Sequence, residues 1–186
     1  MTPLTALWLP ILLSAVFVFI ASMLIHMVTP WHKGDYPALP DEARFREAVR
    51  PMAIAPGDYI VPRPMSSADM RSAEFDQKMI AGPNVVLTVM PNGKMAMGRS
   101  LGLWFAYLIV VGIFAGYIAG RALPPGANYL EVFRFAGCTA FVAYSLALWQ
   151  MWIWYRRSLG TTIRATVDGL LFAGLTAGTF GWLWPR

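Results

Sequence analysis

The sequence predicts an all-α membrane protein: four transmembrane helices, with a small α/β extramembrane insertion between helices 1 and 2. Three observations predict it. Apolar stretches run roughly from Leu4 to Val28, Leu101 to Ala119, Val132 to Trp154 and Thr166 to Trp184. Each is long enough to cross about 30 Å of hydrocarbon as a helix. Hydrophobic residues make up 57% of the chain against 13% charged, and mean hydropathy is +0.51, far from a soluble domain's balance. The net charge of +5 is carried largely by basic residues flanking the apolar stretches, which points to membrane orientation and away from nucleic acid.

The organisation follows as residues 1–30 for the first helix, 31–98 for the cap, and 99–186 for helices 2 to 4. Met1 to Trp8 holds no Lys or Arg and no small-x-small site precedes the loop, so a retained helix is expected in place of a cleaved signal. That helix stops near Thr29-Pro30-Trp31, where a proline and an interfacial ring suit an end.

In the cap, Pro40-Asp41-Glu42 opens a short amphipathic helix through Arg50, with Asp41 as its cap and Pro51 as its stop. Ala55-Pro56-Gly57-Asp58 is a turn into Tyr59-Ile60-Val61. A second helix is expected from Ser67 to Met79, capped by Ser66 or Ser67. Asn84 to Met90 reads as a strand, Pro91-Asn92-Gly93 as a turn, and Lys94-Met95-Ala96-Met97 as the returning strand of a β-hairpin. With 68 residues and many prolines, the cap is too small for a large core of its own, which argues against a separate catalytic domain.

Within the apolar stretches, Gly112-x-x-x-Gly116-x-x-x-Gly120 stacks glycines on one face of helix 2, and Gly174-x-x-x-Gly178 does so on helix 4. Such faces let a second backbone approach, within the chain or in a partner. Trp149, Trp152, Trp154 and Tyr155 end helix 3 ahead of Arg156-Arg157, an aromatic belt at the interface, and Trp182 and Trp184 form its counterpart on the other side. Four crossings put both termini on one side. Lys33, Lys94, Arg99, Arg156, Arg157 and Arg164 lie near the membrane on the loop side, against Arg121, Arg134 and Arg186 on the other. The bias favours a cytoplasmic large loop and periplasmic termini, tempered by the eight acidic residues in that loop.

The polar candidates are few. Arg164 and Asp168 are four apart and are expected to pair across one helical turn; Glu131 and Arg134 are expected to do the same. A carboxylate in a membrane helix is costly unless paired, so Asp168, with Arg164, is the candidate for polar or ion-handling chemistry, set against plain structural anchoring. His26, flanked by Met23 and Met27, and His32 are the remaining ligand candidates for copper or haem iron. Pro30 between them makes opposed haem ligation awkward. The single cysteine, Cys138, excludes an internal disulfide and a thiolate zinc site. No HExxH, CxxC or dinucleotide-type glycine loop occurs. No cofactor and no catalytic residue is therefore predicted, with haem, copper or quinone near His26 or the tryptophan belt as the weaker reading.

Several segments carry a resemblance: Asp35-Tyr36-x-x-Leu39-Pro40-Asp41-Glu42, Pro56-Gly57-x-Tyr59, Gly98-x-Ser100-Leu101, Gly120-Arg121-x-Leu123-x-Pro125-Gly126-x-x-Tyr129, Asp168-Gly169-Leu170, and Leu175 through Pro185. Together they span nearly the whole chain, which resembles a family of small uncharacterised bacterial inner-membrane proteins with four helices. The resemblance implies class and location and brings no activity. The leading functional expectation is a non-catalytic accessory or scaffold subunit of a larger membrane complex, an energy-transducing assembly being one host. Its partners would be integral membrane subunits and lipid. The alternative is a small transporter or channel, as a homo-oligomer, with a path lined by Asp168, Arg164, Ser145, Gln150 or Tyr144.

Overall fold

A computed structural model of the chain describes every residue except Met95. It is mostly helical: α1 (Leu4–Val28), α2 (Glu42–Val49), β1 (Gly57–Val61), α3 (Ala73–Ala81), β2 (Val85–Val89), α4 (Met97–Ala122), α5 (Tyr129–Tyr155) and α6 (Leu159–Trp182). Three of these helices, α1, α4 and α5, are long and apolar enough to cross a membrane, which makes a multi-pass membrane protein the matching class. The expected fourth crossing corresponds to α6. Its threonines, Arg164 and Asp168 leave it outside that apolar set.

The residues form two compact units, Met1–Pro37 with Ala96–Arg186, and Ala38–Met95. In the first unit α1 packs on α4 and α6, and α5 packs on the same two, most extensively on α6. One apolar cluster near the chain termini joins Leu7, Ile11, Ala115, Ala119, Val132, Phe180 and Trp184, and a second joins Ala15, Val18, Leu108, Ala140, Tyr144 and Phe172. Alanine and glycine at the contacts let the backbones close up, as membrane helices need when lipid competes for apolar surface.

Three of the α4 glycines pack inside the chain. A Cβ on Gly112 would meet Ile11 at 3.3 Å, one on Gly116 would meet Phe180 at 3.2 Å, and one on Gly120 would lie 2.5 Å from the Thr2 carbonyl. Thr2 in turn donates its N–H to the Gly120 carbonyl at 2.8 Å. On α6, a Cβ on Gly178 would touch only the Tyr129 hydroxyl at 3.6 Å, and one on Gly174 would meet nothing within 4 Å. The close approach of α6 to α5 falls instead at Gly169, where a Cβ would overlap the Ser145 hydroxyl, and at Gly181 against Tyr129.

Local rules explain most element ends. Asp41 caps α2 by accepting the Arg44 N–H at 2.9 Å, as expected. Ser66 accepts the Asp69 N–H at 3.0 Å, but this caps only a short 3₁₀ turn, Asp69–Arg71. Ser72 breaks the expected helix there and caps α3 by accepting the Phe75 N–H at 3.1 Å. Glu131 does not reach along α5 towards Arg134. It turns back to accept the Asn128 N–H at 3.3 Å, while Asn128 Oδ1 accepts the Leu130 N–H at 2.9 Å, forming a capping box.

The Ala38–Met95 unit contains a two-stranded antiparallel sheet, with Gly57 opposite Val89 and Val61 opposite Val85. The pairing differs from the expected hairpin: β2 pairs with β1, across α3 in sequence. Of the expected returning strand, Met95 lies outside the described residues, Lys94 and Ala96 fall outside both strands, and Met97 already begins α4.

Candidate functional site

The site lies where α1 ends and α6 begins. The last turn of α1, Leu24–Val28, widens to a π-type turn in which the Thr29 N–H donates to the Leu24 carbonyl at 3.2 Å. Such widened turns concentrate at functional sites because the extra residue re-aims a side chain. Here the turn carries His26, whose Nδ1–H donates to the Ser22 carbonyl at 2.9 Å. Since a carbonyl only accepts, that bond places a proton on Nδ1, and in the neutral ring Nε2 is then the nitrogen with the lone pair.

After Pro30 the chain folds back so that the rings of His26 and His32 stack, with centroids 4.2 Å apart and planes 10° from parallel. His32 lies between two carboxylates. Its Nδ1–H donates to Asp35 Oδ2 at 2.7 Å, and its Nε2 lies 2.8 Å from Asp168 Oδ2. The two contacts differ in kind. The first is aligned as a hydrogen bond; the second is close but off line, so Nε2 is sealed from solvent without a hydrogen-bond partner.

Arg164 holds the far side of Asp35, donating from Nε at 2.7 Å and also from Nη2 to the same oxygen, Oδ1. Burial raises the Asp35 pKa, but the hydrogen bonds from His32 and Arg164 and the charge of the Arg164 guanidinium outweigh it. The carboxyl is held below its ordinary value. Asp168 is 4% exposed, and its Oδ1 accepts the Trp31 Nε1–H at 3.1 Å. The result is a chain of polar contacts, Arg164–Asp35–His32–Asp168–Trp31, crossing from α6 to the end of α1 and back.

A second strand of contacts supports it. Ser22 Oγ donates to the Phe19 carbonyl at 2.8 Å and accepts the Trp104 Nε1–H at 2.9 Å, tying His26's backbone partner to α4. Beside this shell lies an open groove of about 810 Å³ lined by Ser22, Met23, His26, Trp104, Asp168 and Phe172 among others. It is largely apolar with a few polar groups in its lining, the usual composition of a ligand pocket.

The structure thus brings together four of the polar residues singled out in the sequence, His26, His32, Arg164 and Asp168, in a different pairing. Arg164 was expected to bond Asp168, one helical turn away. It reaches Asp35 instead, because Trp31 and His32 occupy the Asp168 carboxylate. Asp35 and Trp31 escaped the sequence reading as site residues. The signal for Asp35 was present as His32-x-x-Asp35, a spacing that lets a carboxylate reach back to an imidazole. The stacked rings of His26 and His32 lie side by side and not on opposite faces of a common plane, whereas two axial ligands of one haem approach the iron from opposite faces. Among family models, curated proteins and solved structures, nothing matches this chain.

Proposed function

We propose that this protein is a non-catalytic accessory subunit of a larger bacterial inner-membrane complex. In this reading α6 crosses the bilayer as the fourth helix of the bundle, the Ala38–Met95 unit lies on the cytoplasmic side, and the termini are periplasmic. The observation that carries it is the surface of that unit. None of its described residues is buried, while Met52, Met65, Ile80 and Met90 are 65%, 82%, 86% and 70% exposed.

A water-facing unit of this size gains its stability from buried apolar area, and one without a buried residue has little of its own. Large exposed apolar side chains outside a bilayer mark a surface that another protein covers. The test is purification in mild detergent with mass spectrometry of co-migrating proteins, repeated with Ile80→Asp. Stoichiometric larger membrane subunits that are lost with Ile80→Asp support the reading. A homogeneous particle made only of this chain overturns it.

One observation favours a second reading, a small transporter or channel. Asp168 is buried among the helices yet borders the apolar groove, where an ionisable group is expensive and usually functional. That reading requires ion or solute flux in proteoliposomes of the purified chain, abolished by Asp168→Asn.

A further inference from the structure

We propose that His26 Nε2, His32 Nε2 and Asp168 Oδ2 form a binding site for one first-row divalent transition metal ion of the zinc class. One ligand atom from each of these three residues lies within 4.8 Å of one from each of the other two. Two imidazoles and one carboxylate make a donor set that such ions favour, leaving one position open. Zinc takes imidazole nitrogen and carboxylate oxygen at about 2.0–2.2 Å, so ligand atoms that share it stand roughly 3 Å apart. His32 Nε2 and Asp168 Oδ2, at 2.8 Å, already do. His26 is exposed; its ring, stacked on His32 and tied to Ser22, would have to tilt out of parallel to bring Nε2 onto the same ion.

The arrangement around these atoms is the stronger argument. Metal-bound histidines almost always donate their other ring N–H to a carbonyl or carboxylate, which fixes the tautomer and the ring's aim. Both histidines do so here: His26 to the Ser22 carbonyl and His32 to Asp35, itself held by Arg164. The carboxylate ligand is oriented in turn by Trp31. Every outer atom is engaged, and the three inner atoms are left for a common guest.

The contact between His32 and Asp168 discriminates between a proton and a metal. In the neutral ring with its proton on Nδ1, the Nε2 lone pair repels a carboxylate oxygen 2.8 Å away unless a cation stands between them. A proton satisfies the pair only near the N···O line, and this contact is off line. A metal ion about 2 Å from each atom sits to one side of that line, where His26 can complete the set. The open position then faces the groove beside His26 and Asp168, within reach of solvent or a ligand. The site needs no partner subunit, so it stands apart from the proposed complex.

The experiment uses the full-length protein in detergent, stripped with chelator and titrated with Co²⁺. The expected result is visible d–d absorption that saturates at one ion per chain and is displaced by Zn²⁺. Asp35→Asn, which keeps all three ligands but removes the carboxylate behind His32, should weaken binding by about 10–100-fold. Asp168→Asn and His26→Gln should weaken it further, and His26, being exposed, can be replaced without emptying the core. No saturable band, or binding that survives both Asp168→Asn and His26→Gln, overturns the site.

Discussion

The helical bundle and the Ala38–Met95 unit solve the same problem in opposite ways. The bundle has fully buried side chains, Leu7, Val18, Leu108, Val132 and Phe180 among them, and it buries one carboxylate with assigned partners. The other unit has caps, a strand pair and a capped helix, yet no buried residue among those described. Local structure and a core are therefore separable. Capping residues and strand pairing define the backbone of a small unit without supplying the apolar burial that makes it independently stable.

The comparison can be broken first at Asp35→Ala. This change strands Arg164 and His32 beside an empty position. The pair is only part-buried, with 26% of the Arg164 side chain in water, so the cost falls below the about 3–5 kcal/mol of a fully buried pair, at about 2 kcal/mol. Thermal unfolding in detergent, followed by tryptophan fluorescence, measures it. The same group sets an acid limb. Because the folded pKa of Asp35 lies below its ordinary value of 3.8, its contribution is complete above that value and is lost as pH falls through the folded one. Asp35→Asn should remove that part of the acid loss, and an unchanged acid limb would place it elsewhere.

Next comes Phe180→Ala in the bundle. Phe180 is fully buried in the cluster with Leu7, Ala115 and Ala136, so lost packing and the cavity left behind are expected to cost about 2 kcal/mol. The smallest effect sharpens the contrast: Ile80→Asp in the other unit should change the stability of the isolated protein by no more than about 0.5 kcal/mol. If Ile80→Asp cost as much as Phe180→Ala, the unit would possess a core after all.

What the sequence made legible was what neighbours in the chain decide. The span of α1, its end before Pro30 and the Asp41 cap follow from period, breaker and cap rules. Two misses also lie at this level: Ser72 and the Asn128–Glu131 capping box were readable, but longer or charged alternatives nearby were preferred. The site was legible only as a set of residue types. Its pairings join Trp31 to Asp168 and Asp35 to Arg164, separated by 137 and 129 residues. An i,i+4 rule worth a few tenths of a kcal/mol cannot compete with a buried tertiary contact of that kind. The paired strands show the same limit, since a turn signal at Asn92-Gly93 says nothing about a partner lying before α3.

The division of the cluster between α1 and α6 also has a consequence for biosynthesis. A chain is made from its N-terminus, so His26, His32 and Asp35 exist long before Arg164 and Asp168 are translated. Until the last helix arrives, Asp35 has no guanidinium and the two imidazoles lack the Asp168 carboxylate. A chain truncated before Leu159 would carry α1, α4 and α5 with Asp35 lacking Arg164 and Trp31 lacking Asp168.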